Sequence, residues 1–457
     1  MTAATNAKDD EDRPKRAFAT HTPKWQRFQT TLMVPSEKAA NVSKMATEVY
    51  AYHRQYSHVY DHRLTMLQPR CWEALEEKMV NDNDDITRVH RILELRESVR
   101  SMVVGTLIKE TGDSKEEPLV EKHSKCRPSD ALYLEDQSGR VALQVENVHK
   151  YCTGVVVGVI GTVDEKGTLH VEMIVPPIWT PPVPIEQDRT IAQTTDTTTT
   201  TAVEPHLMIV SSLQCGHPEV PSLPRDMLLS YLLGHFTLDA RKVCRVIIAG
   251  GGPSSQDPLE GIKELDAWGV QLTAAGIPVD ILPAKQDPTT ANWPQRPLHS
   301  CLFPLSGRTS LWNRTPNPYA AGHGQRLVVG TDGENVQDLR QSLLWKSDDE
   351  DRTCTVPSEL QVLEQTLEWA HICPNGPDSV PTVPHVDSDP MVLYPTPHIY
   401  FSGNAADGFA TKLTHQDTTR LICVPKFSET GEVVLVNLET LDVQLLRFEE
   451  GDQYQKL

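Results

Sequence analysis

A Pro- and Thr-rich segment near the middle of the chain separates two stretches whose apolar residues repeat with different periods. Residues 176–201 begin PPIWTPPVP and end in TTDTTTTT. Proline-rich sequence favours a stiff, extended backbone, and a polar low-complexity run cannot build a hydrophobic core. We therefore predict a linker over residues 186–204, with a globular unit on each side.

Before the linker, short β-branched segments alternate with turn residues over residues 99–176. About five short strands with glycine at the bends are typical of a small closed β-barrel, and an OB-fold fits best. Such barrels bind single-stranded nucleic acid by stacking bases on aromatic side chains, but these strands offer little beyond Tyr133 and Tyr151. Docking of a protein, or a purely scaffolding role, is therefore favoured over direct binding of single-stranded DNA, which stays open as an alternative.

The sequence upstream of the barrel predicts a tail and a helical lead-in. Residues 1–45 are mostly charged or polar and indicate a tail or extended strap, in which the basic cluster at residues 13–16 is a weak nuclear import signal. Apolar residues then recur at three- or four-residue steps over residues 43–67, which predicts a helix ended by Pro69. A second short helix is predicted over residues 86–95. We assign residues 46–185 to the helical lead-in plus the OB-fold.

After the linker, strands alternate with helices. The pattern predicts helices at residues 227–236 and 259–275, and strands at residues 206–210, 244–248, 279–282, 326–330, 398–403, 421–424 and 433–438. Alternation of this kind indicates an α/β domain, here residues 205–457. The last segment predicts an antiparallel meander with turns at residues 428–432 and 439–442, which is consistent with a two-sheet sandwich. The whole chain is thus expected to be an α+β, multi-domain protein.

Charge and cysteine spacing exclude several functions. The 457 residues carry 62 acidic and 43 basic side chains, a formal net charge of −19, so contact with DNA is expected to be weak or supplied by partners. Nine dispersed cysteines form no CxxC pair, which argues against a zinc ribbon or a dithiol site. The N-terminus lacks the apolar core of a secretory signal, and no apolar stretch is long enough to span a membrane. We expect an intracellular protein with no membrane partner.

The loops that follow the predicted strands bear on whether the second domain is a hydrolase. Ligands gather at the carboxyl ends of strands in α/β domains, and a two-metal phosphoesterase needs Asp, His and Asn there. The loops here are SSLQ (211–214), AGGG (249–252), PAKQDP (283–288) and SGNAA (402–406). They hold one carboxylate, Asp287, which between Gln286 and Pro288 caps a turn more readily than it binds a metal. We predict no catalytic residue, no metal and no cofactor.

Several segments in a fixed order carry a resemblance to a known family. They are RQYSHVY (54–60), MVVGTLIK (102–109), LED (134–136), QRPLHSCLFP (295–304), NPY (317–319), GTDGENVQD (330–338), HI (371–372), PD (377–378) and PHIYFSGN (397–404). With them the chain resembles the B-subunit family of DNA polymerases alpha, delta and epsilon and of the archaeal family D polymerase, and within it the small, regulatory delta subunits. The resemblance implies an OB-fold joined to a calcineurin-like phosphoesterase domain.

The resemblance also implies that this phosphoesterase domain is degenerate. The metal-ligand positions of the archaeal members fall here on residues that do not form a two-metal cage: Ser212, Gln214, Gly251, Lys285, Gln286, Asn404 and Ala406. Asp287 is retained, but it matches a motif residue that is not itself a ligand. Neutral or cationic groups cannot balance two divalent ions, so no metal and no hydrolysis are expected.

The function that the resemblance implies is that of a noncatalytic scaffold in the replicative polymerase delta complex, in DNA replication and repair synthesis. Such a subunit holds the cysteine-rich C-terminal domain of the catalytic subunit and docks the third subunit on its OB-fold. It reaches the sliding clamp only indirectly and works in the nucleus. Two alternatives remain open: an active phosphoesterase or nuclease with an unconventional site, and an OB module that binds single-stranded DNA.

Overall fold

The computed structural model describes residues 56–79, 86–111, 124–182, 204–346, 354–384, 388–414, 417–449 and 455–456. The predicted tail over residues 1–45, with its basic cluster, and almost all of the predicted linker over residues 186–204 lie outside these ranges. No helix within the described ranges is long and apolar enough to cross a membrane.

The first helix, α1 (Ser57–Met79), contains Pro69 and continues for ten residues beyond it. The prediction that Pro69 ends this helix is therefore wrong, while residues 43–55 of the predicted helix are outside the described ranges. The missing N–H of a proline costs a helix about 3 kcal/mol. Burial outweighs that cost, because α1 packs Leu67, Cys71 and Leu75 against the barrel.

Residues 86–95 do not form the predicted helix. They form strand β1 (Thr87–Arg88), which pairs in parallel with the first barrel strand, and a single 3-10 turn (Ile92–Glu94). Neighbouring segments take the backbone donors that a helix would use. Val89 N donates to the Met102 carbonyl (3.0 Å), and Ile92 N donates to Asp136 Oδ2 (2.8 Å).

Five strands form the barrel that the sequence predicts. They are β2 (Arg100–Glu110), β3 (Ala131–Glu135), β4 (Arg140–Gln144), β5 (Val156–Val163) and β6 (Thr168–Val175). The hydrogen-bonded order β2-β3-β4-β6-β5 is closed by pairing of β5 back onto β2. Gly158 on β5 lets α1 approach the barrel closely, because a Cβ there would lie 2.6 Å from Leu75 Cγ.

The second half consists of two sheets and a small ribbon. The strands are β7 (His206–Val210), β8 (Val243–Ala249), β9 (Val279–Leu282), β10 (Trp312–Arg314), β11 (Tyr319–His323), β12 (Arg326–Thr331), β13 (Trp345–Lys346), β14 (Cys354–Thr355), β15 (Ile399–Ala405), β16 (Ala410–Thr414), β17 (Thr419–Pro425), β18 (Glu432–Asn437), β19 (Val443–Arg447) and β20 (Gln455–Lys456). The seven-stranded sheet has the order β10-β9-β8-β7-β18-β19-β20, and the five-stranded sheet has the order β11-β12-β15-β17-β16.

The two sheets face each other, and helices cover their outer faces. Apolar residues of both sheets, among them Ile209, Val328 and Phe401, share one buried cluster. Helices α2 (Leu223–Leu232) and α3 (Pro258–Ala274) pack on the seven-stranded sheet, while α4 (Glu334–Ser342) and α5 (Glu359–Glu368) pack on the five-stranded sheet. The predicted sandwich is therefore present.

The predicted meander at the C-terminal end is wrong in its pairing. Strand β17 belongs to the five-stranded sheet, whereas β18 and β19 form a hairpin in the seven-stranded sheet. A short helix, α6 (Phe427–Thr430), carries the chain from one sheet to the other. It is held by Phe427 N, which donates to the Ser211 carbonyl (2.9 Å) at the end of β7.

The barrel and the sandwich share one hydrophobic cluster. It joins barrel residues such as Leu107 and Val157 to Leu343 and Trp369 of the second half. A buried arginine of α1, Arg63, adds polar contacts across the same seam. Its guanidinium binds Asp389 (Nε to Oδ2, 2.8 Å) and donates to the carbonyls of Gly154, Pro374 and Gly376. The two halves are therefore packed as one body.

Candidate functional site at the strand ends

The loops after β7, β8, β9, β12 and β15 meet at one edge of the sandwich. Ser212 N donates to the Gly250 carbonyl (2.9 Å), and Gln214 N donates to that of Gly251 (3.1 Å). Gly251 N in turn donates to Asp287 Oδ2 (3.2 Å). The parallel strands β7, β8 and β9 end here together, which places the predicted residues of the first three loops side by side.

Three of these residues have a left-handed backbone. The φ angles are 54° at Ser212, 51° at Gln214 and 51° at Asn404. Non-glycine residues in this region cost roughly 1–3 kcal/mol each, and they cluster at ligand and catalytic sites. The strand ends thus contain sharp, strained turns, and the residues at these turns carry one hydroxyl group and two amide groups.

Asp287 is buried and holds the loops after β8 and β9 together through hydrogen bonds. Its Oδ2 accepts hydrogen bonds from Ala284 N (2.7 Å) and Gly251 N (3.2 Å). Burial raises the pKa of the Asp287 carboxyl group to about 7, against the lowering effect of these two donors. Because its oxygen already binds two backbone groups, Asp287 joins the β8 and β9 loops to each other.

Asn404 fills the space between the strand ends. Its Nδ2 donates to the carbonyl of Asp332 (2.9 Å) and lies 3.4 Å from that of Ala249. Its backbone N donates to Ser211 Oγ (3.0 Å). The packing is close, because a Cβ at Gly250 would lie 2.9 Å from Asp332 Cβ and 3.2 Å from Asn404 Nδ2.

The other three predicted positions lie at the rim. Lys285 is largely exposed and pairs with Glu334 (Nζ to Oε1, 2.8 Å), which raises the pKa of the lysine. Gln286 is exposed, and so is Ala406, whose backbone N donates to Glu359 Oε1 (3.1 Å). None of these three side chains is placed in the centre of the site.

The sequence reasoning missed Asp332, the other buried carboxylate of this edge. It follows β12, accepts a hydrogen bond from Asn317 Nδ2 (2.8 Å) and lies 3.2 Å from Lys285 N, a donor to its Oδ2. Burial raises the pKa of Asp332 to about 6. A signal was present, because Asp332 comes two residues after the strand predicted at residues 326–330, in another loop of the same edge.

The two carboxylates are poor candidates for holding metal ions. Both have raised pKa values and accept hydrogen bonds from backbone or amide groups, and their neighbours Ser212, Gln214 and Asn404 carry no charge. Two divalent ions need several anionic or imidazole ligands. Among the described residues, the group of three Cys, His, Asp or Glu side chains with converging ligand atoms lies elsewhere, at Cys126, Asp130 and His149.

The aromatic residues of the barrel do not form an open stacking surface. The guanidinium of Arg140 lies over the Tyr133 ring, 4.6 Å from its centre. Tyr151 is half-buried, and burial raises the pKa of its hydroxyl group. Bases stack on exposed ring faces, so this arrangement gives little support to single-strand binding by these two residues.

Two protein families match the chain in the regions just described. The family of the DNA polymerase delta subunit OB-fold domain matches residues 55–174, and the B-subunit family of DNA polymerases alpha and epsilon matches residues 227–411. The first match identifies the barrel as an OB-fold.

Relatives from animals, plants and fungi cover most of the chain. DNA polymerase delta subunit 2 of Drosophila melanogaster is 30% identical over 87% of this chain and 94% of its own length. The DNA polymerase delta small subunit of Oryza sativa subsp. japonica is 31% identical over 86% and 93%. That of Saccharomyces cerevisiae (strain ATCC 204508 / S288c) is 26% identical over 87% and 90%.

Proposed function

The chain belongs to the family of DNA polymerase delta small subunits, and from this premise we propose that it is a noncatalytic bridging subunit of the polymerase delta complex. It binds the cysteine-rich C-terminal domain of the catalytic subunit and, through its OB-fold, the third subunit. The sliding clamp is reached through that third subunit. The complex acts in the nucleus, in DNA replication and repair synthesis.

The observation that carries this proposal is the chemistry of the strand ends. A calcineurin-like phosphoesterase would hold two metal ions at this edge. Here Ser212, Gln214 and Asn404 keep the sharp backbone turns but supply no charge, and the Asn404 amide is tied to backbone carbonyls. A sandwich that retains the loops without the ligands is suited to binding partners rather than to hydrolysis.

The shared hydrophobic core supports a bridging role. The barrel and the sandwich pack through one cluster, so a partner that touches both meets a single continuous surface. We assign residues 46–185 to the lead-in and OB-fold, residues 186–204 to a linker and residues 205–457 to the inactive phosphoesterase-like domain. The net charge of −19 is consistent with weak direct binding of DNA and with basic surfaces on the partners.

Co-expression of the three subunits tests the bridge. With the full chain present, the catalytic subunit and the third subunit should elute together from a sizing column. Without it they should elute separately. Co-elution of the other two in its absence would contradict the proposal.

A phosphodiesterase assay tests the absence of catalysis. The purified chain with Mn²⁺ and a chromogenic phosphodiester should release no more product than buffer with Mn²⁺. Metal-dependent turnover that disappears in the Asp287→Ala variant would instead support an active phosphoesterase.

A further inference from the structure

A cluster of metal-ligand side chains lies at the seam between the barrel and α4, away from the strand-end site. Cys126, Asp130 and His149 bring a thiol sulfur, a carboxylate oxygen and an imidazole nitrogen within 4.8 Å of one another. Cys126 and Asp130 are buried, and His149 is partly buried. No CxxC or similar motif marks these residues, so spacing in the sequence gave no signal for them.

Hydrogen bonds hold the backbone around these three residues, which we call the seam cluster. Arg127 N donates to Asp130 Oδ2 (3.1 Å), which closes the turn that carries both Cys126 and Asp130. His149 lies on a 3-10 turn (Val148–Lys150) whose preceding residue, Asn147, caps it through a bond from His149 N (3.1 Å). The donors therefore converge from two fixed turns of the barrel half.

A positive charge already lies among these donors. Lys109 Nζ is 3.4 Å from Cys126 Sγ, 3.7 Å from Asp130 Oδ2 and 2.9 Å from the carbonyl oxygen of Ser342. Ser342 is the last residue of α4, where helix carbonyls give a partial negative charge. The surroundings thus favour a cation, and the second half of the molecule contributes the Ser342 carbonyl that lies beside the cluster.

Lys109 does not bind every ligand atom of the cluster. Nδ1 of His149 is buried and has no hydrogen-bond partner among the described residues; Asp130 Oδ2 is 3.5 Å away. A buried polar atom without a partner costs free energy, and a metal ion would satisfy it.

We propose that the seam cluster is an exchangeable cation site that binds Zn²⁺ through Cys126, Asp130 and His149. Mixed sulfur, nitrogen and oxygen ligands suit Zn²⁺, and the Ser342 carbonyl or a water molecule completes four-coordination. Without metal, the Lys109 ammonium fills the site.

The exchange conserves charge. In the metal-free state one ammonium faces one carboxylate and a neutral thiol. When Zn²⁺ binds, the Cys126 thiol releases its proton to solvent, and the two charges of the ion are balanced by one thiolate and one carboxylate. The ammonium keeps its proton and swings out of the cluster.

Cobalt(II) and zinc binding to the full purified chain test this proposal. After treatment with a chelator, the wild type should bind one equivalent of cobalt with a thiolate-to-cobalt charge-transfer absorption, and zinc should displace it. Cys126→Ser should lose that absorption, and His149→Gln should weaken cobalt binding. Lys109→Met should bind about tenfold more tightly, because the competing charge is gone.

A second cysteine–histidine pair provides the control. His299 Nδ1 lies 3.0 Å from Cys301 Sγ on the surface, and a Cys301→Ser variant should keep the absorption. Loss of the absorption in Cys301→Ser but not in Cys126→Ser would overturn the proposal. So would a lack of cobalt binding by the wild type, even if Lys109→Met binds cobalt, because the native cluster would then be a lysine ion pair only.

Discussion

At Asp287, burial and hydrogen bonding act on the carboxyl group in opposite directions, and burial dominates. The folded pKa of about 7 lies above the ordinary value of 3.8. The folded state therefore holds this proton over a pH range in which the unfolded state has lost it. Stability contributed by this group is complete below pH 4 and is lost as the pH rises towards 7.

The variant Asp287→Asn tests whether the Asp287 carboxyl group lowers stability as the pH rises. The amide oxygen can accept the same two backbone hydrogen bonds but carries no charge at any pH. We expect wild type and variant to unfold with similar free energies near pH 4. At pH 8 the variant should be more stable by roughly 4 kcal/mol, because each pKa unit between 3.8 and about 7 corresponds to about 1.4 kcal/mol. Urea titrations at the two pH values measure the difference; a variant that is less stable at pH 8 would contradict the assignment.

Arg63 joins α1 to the second half through buried polar contacts. Burial alone would raise the pKa of Asp389, but the Arg63 charge and the contact with His371 hold it well below its usual range. Arg63→Met would leave that carboxylate and three carbonyls without the guanidinium.

We expect Arg63→Met to lower the free energy of unfolding by about 3–5 kcal/mol. The matched variant Arg100→Met, at the more exposed pair with Glu172 (2.8 Å), should cost less than about 1 kcal/mol. Equal losses in chemical denaturation would show that the buried network does not hold the seam.

At the scale of elements, the seam depends on a glycine between β4 and β5. Gly154 has a φ of 88°, and a Cβ there would lie 1.9 Å from the carbonyl oxygen of Pro374. Gly167 has a similar φ of 79°, and a Cβ added there would have no atom within 4 Å. The pair separates the cost of backbone strain from the cost of a steric clash.

We expect Gly167→Ala to cost about 1 kcal/mol from strain alone. Gly154→Ala should cost at least about 2 kcal/mol more, because the β4–β5 connection must move away from the second half. Thermal unfolding of both variants provides the comparison. Similar melting temperatures would mean that the close approach at residue 374 is not required.

The spacing of apolar residues and the turn-forming residues between them predicted the barrel strands and most sandwich strands closely, because these strands are short, buried segments rich in β-branched residues. The errors arose where contacts distant in sequence decide local structure. Pro69 is tolerated because α1 gains burial against β5, and β1 replaces a helix because β2 offers it a partner. Likewise, β17 and β18 lie in different sheets because the segment between them is bound to Ser211, which is more than 200 residues earlier in the chain.

The sequence predicted which residues lie at the candidate site, but not the hydrogen bonds that they make. Loops after parallel strands indicated Ser212, Gly251, Asp287 and Asn404, and the structure places them at one edge. The role of Asp332 and the hydrogen bonds of the Asn404 amide could not be predicted, because they join segments that are distant in sequence and no local pattern specifies which carbonyl a side-chain amide will reach.

For the whole molecule, the shared core predicts one cooperative unfolding transition. The cluster that includes Leu107 and Trp369 spans the barrel and the sandwich, so neither half can lose its packing without exposing apolar surface of the other. Calorimetry of the full chain should give a single peak whose calorimetric and van't Hoff enthalpies agree. Two separated peaks would show that the halves are independent.

We propose that this fold binds a polymerase rather than hydrolysing a phosphodiester. Calorimetric titration of the full chain with the cysteine-rich C-terminal domain of the catalytic subunit distinguishes these two functions. We expect saturable binding with one domain per chain. A titration in which no heat of binding and no complex is detected at micromolar concentrations would contradict it.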